Sequence, residues 1–424
     1  MRALALACLA SALCLQAQPR TQEWRLQNGL RVLLLEDHEH PLVRARLFLS
    51  LRPGDTPPGR PGLAPLFHRM MVHAETADLK PGDLDRLLED SGIRLTQSLG
   101  TDGFSWQLAA RSRDQDQAMG LLADRLLRSL LDPALLELQR LAYLQLLEHP
   151  EGSPRERLRQ ALEPGARATR SSLGAITLQD LLAFRARVFR PDRAVLVLHG
   201  DLGLEQAKRL VLLSLGTWMA QEPGPQEAPP PSAAAAVPAV PDEVPRIPDP
   251  GAGLRVQALA PQPGDLAPEV GALLSLLVPG EASPDPVRVT LGEGGLVATL
   301  DSLEGSTGAA TWSQLVERLE GLRRRGFNRR DLDQARLAWF GRRSLESLQP
   351  EAQMDRALAE SQGRGVREDR LGALSLDGLN SGLRDWLDPA KLRLGAAGDP
   401  GDLDRLPRPD ERRVGKQAPG DPGG

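Results

Sequence analysis

Leu63-Ala64-Pro65-Leu66-Phe67-His68-Arg69-Met70-Met71 is the stretch on which the reading of this chain turns. Leu63, Phe67, Met70 and Met71 recur at helical spacing and Leu66 joins them, so the stretch predicts a helix with one apolar stripe for a core. Its other flank carries Pro65, His68 and Arg69. Immediately upstream, Pro53-Gly54, Pro57-Pro58-Gly59 and Pro61-Gly62 mark a loop leading into the helix.

Working outward, Trp24 to Leu35 predicts a hairpin around Asn28-Gly29, and Val43 to Leu51 a further strand. Helices are predicted over Leu84 to Leu95, Asp114 to Leu131 and Pro133 to Leu147, with a strand over Ser105 to Ala110. Thr177 and Asp180 are spaced as a capping box for a helix through Val188, and Val195 to Leu198 predicts a buried strand ending in His199-Gly200-Asp201. Residues 221–250 hold Pro229-Pro230-Pro231, four alanines from Ala233 and repeated prolines. Such a segment cannot fill a core and predicts a stiff linker. Beyond it, helices are predicted near Pro268 to Leu277, Thr311 to Arg325 and Arg330 to Leu348. Pro191-Asp192, strand, Gly200-Asp201 in the first half is echoed by Asp388-Pro389, Lys391 to Ala396, Gly398-Asp399 in the second, which suggests a duplicated unit.

The chain has 424 residues, 41% apolar and only 3% aromatic, so its cores rest on Leu, Val and Ala. A net charge of -4 with no long basic block argues against nucleic acid as the main partner. Met1-Arg2, the apolar run Ala3 to Leu15 and Gln16-Ala17 have the layout of a secretory signal peptide cleaved after Ala17. Both cysteines, Cys8 and Cys14, lie in that segment, which leaves the mature chain without disulfides or thiolate ligands. The division expected is therefore residues 1–17 as signal peptide, 18–220 as N-terminal domain, 221–250 as linker, 251–406 as C-terminal domain and 407–424 as a disordered tail. Export places the protein in the periplasm or outside the cell, and no other run is apolar and long enough to cross a bilayer.

Asn28-Gly29-Leu30-Arg31-Val32, Pro58-Gly59 to Ala64, Ile176-Thr177 to Phe184 and Phe189-Arg190-Pro191-Asp192 through Asp201 resemble the pitrilysin/insulinase metallopeptidases, whose inverted zinc motif is His-x-x-Glu-His on a helix. The resemblance implies an α+β fold of two homologous domains, each a mostly antiparallel sheet packed with helices, joined by the Pro/Ala-rich linker. In the family, two histidines one helical turn apart hold zinc, the glutamate polarises its water, and a glutamate from a later helix completes the coordination. Here the matching positions are Pro65, His68 and Arg69, with Leu146 at the later ligand and Gln139 at the supporting carboxylate. Pro65 and Leu146 have no donor atom, and Arg69 is a permanent cation. The family's C-terminal tyrosine is also missing, because the only tyrosine is Tyr143, and Gly292-Glu293-Gly294-Gly295-Leu296 reads as a turn.

No other residues rebuild the site. His68 and His73 stand roughly 140° apart around a helix. Glu75, Glu148 and His149 read as surface residues, and Asp37-His38-Glu39-His40 as a solvated turn. The expectation is a chain without catalytic residues, zinc or other cofactor, which pairs with an active zinc-bearing relative to enclose peptides. The alternatives are a zinc metalloendopeptidase with a non-standard site and a stand-alone peptide-binding or chaperone-like module.

Overall fold

A computed structural model describes residues 21–52, 54–57, 59–100, 102–148, 154–162, 168–220, 245–249, 254–261, 268–277, 287–292, 295–301, 308–387, 393–404 and 406. The signal-peptide segment, most of the expected linker and the expected tail lie outside the described residues.

The hairpin of β1 (Gln22–Arg25) and β2 (Arg31–Glu36) turns at Asn28-Gly29, where Gly29 takes φ +94°. That left-handed backbone suits glycine, and the Asn28 amide fixes the turn by donating to the carbonyls of Leu215 (2.9 Å) and Trp218 (3.0 Å). Then follow β3 (Leu42–Ser50), α1 (Leu63–His73), α2 (Pro81–Ser91), β4 (Arg94–Leu99) and β5 (Gly103–Arg111). The helix expected through Leu95 stops at Ser91 because Gly92, at φ +68°, caps it in the left-handed conformation. The alternation from Arg94 onward then makes a strand. Next come α3 (Gln115–Leu127), α4 (Pro133–Glu148), α5 (Pro154–Leu162), α6 (Arg170–Gly174), α7 (Leu178–Val188), β6 (Ala194–Gly200) and α8 (Leu204–Leu215). The capping box of α7 is present: Asp180 N–H donates to Thr177 Oγ1 at 3.1 Å, and Thr177 N–H to Asp180 Oδ2 at 2.8 Å.

The second half continues with β7 (Arg246–Pro248), β8 (Arg255–Pro261), α9 (Pro268–Leu277), β9 (Val287–Gly292), β10 (Gly295–Asp301), α10 (Gly308–Arg325), α11 (Arg329–Glu346), α12 (Pro350–Ser361), α13 (Glu368–Ala373), α14 (Leu376–Trp386), β11 (Arg393–Gly398) and α15 (Pro400–Leu403). Arg246–Pro248, expected to be linker, is a strand paired with β11.

Two sheets result. The first runs β1-β2-β6-β3-β5-β4 and the second β7-β11-β8-β10-β9. In each, one pair is parallel (β2 with β6, β7 with β11) and every other neighbour is antiparallel. Without β1, the first sheet repeats the second strand for strand, as the echo of sequence signals suggested.

The chain clusters into two compact units, but not as contiguous halves. The first comprises Met1–Leu144, Ala166–Ser232 and Ser347–Gly365, and the second Gln145–Gly165, Ala233–Glu346 and Val366–Gly424. So α12 belongs to the first unit and α5 to the second. Within the first unit, one sheet face packs Leu34, Leu47, Trp106 and Leu196 with helix residues such as Phe67, Met119 and Phe184. Its other face buries Leu33, Leu35, Phe48 and Val197 under Met354, Ala357 and Leu358 of α12. Within the second unit, Leu158 and Leu162 of α5 pack on Ala397 and Ile247. Gly395 permits this close approach, since a Cβ there would meet Leu158 Cδ1 at 2.8 Å.

Candidate functional site

Helix α1 begins at Gly62, held at φ +92°, where a Cβ would meet Ala168 Cβ at 2.7 Å and Leu173 Cδ2 at 2.8 Å. Pro65 sits in the first turn, where its missing N–H breaks no helical bond. The apolar stripe is buried as expected. Phe67 meets Phe184, Phe189 and Phe104 edge-on, with centroids 5.2, 5.1 and 5.9 Å away. The helix ends at a cation: the buried guanidinium of Arg125, on α3, donates to the carbonyls of Met71 (2.8 Å), Val72 and Ala74. This meets the helix's open carbonyls with positive charge. Arg125 was not legible as a cap, because its partner helix lies far upstream in sequence.

The polar flank of α1 is half-buried. His68 lies against the Phe104 ring, 6.2 Å between centroids, and its Nε2 is buried without a hydrogen-bond partner. Burial holds its pKa below the ordinary histidine range, the Arg69 and His73 charges add to this, and a hydrogen bond to the Gln97 backbone opposes it. The Arg69 guanidinium stands 5.9 Å from the centroid of the Tyr143 ring, on α4. Burial raises the Tyr143 pKa, with Arg69 opposing. His73, at the exposed end of α1, is also held low, by partial desolvation and then by Arg69 and Arg125. Along α4, Gln139 is buried with its Oε1 unpartnered, and Leu146 is half-buried on the last turn, in the stretch that clusters with the second unit. His149 lies outside the described residues. Among the described residues, no three His, Cys, Asp or Glu side chains gather as a metal-binding group.

The Asp37-His38-Glu39-His40 run does more than form a solvated turn. His38 Nδ1 lies 2.7 Å from Asp201 and its Nε2 3.6 Å from Glu36. Those carboxylates, Asp201 first, raise its pKa. Asp37 approaches His199 at 3.8 Å, and His199 is 1% exposed. Burial lowers the His199 pKa, with Asp37 opposing. The run thus ties together the ends of β2 and β6. In the second half, Gly292 of β9 pairs with Gly295 of β10; Glu293 and Gly294, where a turn was expected, lie outside the described residues.

The fold defines a class before the sequence does. A protease from Helicobacter pylori superposes with a TM-score of 0.72 at 12% identity, covering 89% of this chain and 99% of that one. The peptidase M16 inactive domain from Pseudomonas fluorescens gives 0.68 at 18% identity, covering 90% and 98%. The first half of the periplasmic protease PqqL from Escherichia coli gives 0.66 at 12% identity, covering 95% and 98%. The chain therefore has the two-domain fold of the M16-like peptidases. Residues 175–265 also match the peptidase M16 inactive domain family by sequence, which bears out the resemblance to pitrilysin/insulinase peptidases. No curated protein matches the chain by sequence. Among the described residues, no helix is long and apolar enough to cross a membrane.

Proposed function

We propose that this chain is a non-catalytic peptidase homologue that pairs with a zinc-bearing relative and helps enclose peptides for it. The contact that carries this reading is Arg69 over Tyr143. At the position of the family's second histidine stands a guanidinium facing an aromatic ring, and a fixed positive charge there repels a second cation. Pro65 and Leu146 offer no donor at the other two ligand positions. His68 replaces the general base and rests in apolar surroundings that favour its neutral form. The residues present do not fit zinc.

The leader-like residues 1–17 support export to the periplasm as part of this proposal, and a similar fold occurs in a protein described as periplasmic. The partner is a relative carrying an intact His-x-x-Glu-His. Affinity capture of the tagged full chain from its own cells, read by mass spectrometry, should retain such a relative in stoichiometric amount. Recovery of the chain alone, repeatedly and under mild salt, contradicts the pairing.

A further inference from the structure

The outer face of the first sheet is divided in two. Over β2 and β6 it is apolar and covered by α12. Over β3, β5 and β4 it is polar. The register sets Arg44 beside Ala109 and Ala109 beside Arg94, so one row across three strands reads Arg-Ala-Arg. The next row reads Arg46-Gln107-Thr96. Strands two apart are separated by about 10 Å, so the small Ala109 leaves a notch between the flanking arginines. Together with Glu351 and Met354 of α12, these residues line a cavity of about 250 Å³.

The charges around it do not balance. Glu351 meets Arg44 at 3.1 Å, and Asp355 pairs with Arg46. Both acids come from α12 and both are largely exposed. Arg94 is exposed on β4 and has no hydrogen-bond or ion-pair partner among the described residues. The Nε of Arg46 is buried and also unpartnered. Three guanidiniums thus face two carboxylates, beside the Gln107 amide and the Thr96 hydroxyl. His199, next to Arg44 in the register, is buried and favoured in its neutral form, so it does not change this balance.

We propose that this cavity binds a single carboxylate group, held by Arg94 with Thr96 and Gln107 beside it, while Arg46, with its buried Nε, adds its positive charge beneath. A guanidinium presents parallel N–H groups that match the two oxygens of a carboxylate. Met354 and Ala109 offer apolar contact to the few carbons that carry it. The volume lies below that of pockets for drug-sized ligands, which limits the group to a chain terminus or one acidic side chain. The site lies within the first unit, on its sheet and α12, and does not depend on the pairing proposed above.

The test is calorimetric titration of the full chain with three acetylated tripeptides of neutral sequence. One has a free C-terminus, one is C-amidated, and one is C-amidated with a central glutamate. The first or third, or both, should bind saturably at one per chain, which also tells terminus from side chain, while the neutral amidated peptide should not bind. Arg94→Gln should weaken binding at least tenfold. Thr96→Val, an exposed change of the same shape, should weaken it severalfold, and Arg113→Gln, at an exposed site elsewhere, should leave it unchanged. No binding by either carboxylate peptide, equal binding by all three, or wild-type affinity in Arg94→Gln overturns the proposal.

Discussion

Apart from the added β1, the two sheets have the same strand order and directions, yet the helix that follows β3 differs from the one that follows β8. Helix α9 is a packing helix: Val270, Leu273 and Leu274 are buried, and its buried acid, Glu269, accepts the Arg367 N–H at 3.0 Å. Helix α1 buries a similar stripe but also carries His68 and Arg69, each with a buried nitrogen that no hydrogen bond satisfies. The scaffold asks only for the stripe. The polar flank of α1 is a burden the second copy shows to be unnecessary, and it sits at the positions that the sequence resemblance matches to the zinc motif. A residue set that merely served packing would look like α9.

The largest effect expected concerns what completes each sheet. A fragment of residues 22–232 lacks α12 and leaves Leu33, Leu35, Phe48 and Val197 open. Each loses about 1.5–3 kcal/mol of burial, and the sum rivals the roughly 5–15 kcal/mol that holds a whole domain. Circular dichroism and gel filtration should show this fragment unfolded or aggregated. A stable monomer would mean that the first unit needs no helix from the second half.

Next is the pair that anchors the loop before α1. Arg193, just ahead of β6, is bound by both oxygens of Asp55, and both residues are buried. The second sheet likewise opens β11 with a buried arginine, Arg393. Asp55→Ala strands one buried charge and should cost about 3–5 kcal/mol in denaturant unfolding. A cost below about 1 kcal/mol would show that the loop relaxes around the arginine.

Arg69→Leu should change stability by no more than about 1 kcal/mol in either direction, since the lost cation–π contact is offset by relief of a poorly satisfied buried group. It would make the residue set of α1 more like that of α9. A loss of several kcal/mol would make Arg69 a structural requirement instead.

The smallest effect is in pH. All six histidines precede the linker. His68 and His199 have folded pKa values lowered by burial, so the folded state prefers them neutral while the unfolded chain protonates near the ordinary value of 6.5. Their stabilisation is present above that value and is lost as pH falls from it toward the folded values. His38 is shifted up and works in the opposite sense, but it is largely exposed and counts for less. The melting temperature should therefore drop by a few degrees between pH 7.5 and 5.5. His68→Gln with His199→Gln should flatten that slope; an unchanged slope would place the titration elsewhere.

Local signals made much of the fold legible. Asn28-Gly29, the stripe of α1, the Thr177 capping box and the strand before Gly200-Asp201 each lie within a few residues of one another. Strand β4 was missed because Gly92 ends a helix whose leucines continue in apparent register through Leu95. With β4 unread, the row Arg44-Ala109-Arg94 could not be seen, since it exists only through pairing across three strands. The exchange of α5 and α12 was hidden for the same reason: a proline-rich linker signals where the chain is extended, not which helix covers which sheet. The replaced motif residues were readable one by one, but the Arg69–Tyr143 contact needed two helices brought together.

Central to the proposed function is an α1 whose residues do not support zinc chemistry. Elemental analysis of the purified full chain, paired with a peptide-cleavage assay with and without chelator, tests it most directly. The account predicts zinc far below one per chain and no cleavage in either condition. One zinc per chain with cleavage abolished by chelation would contradict it.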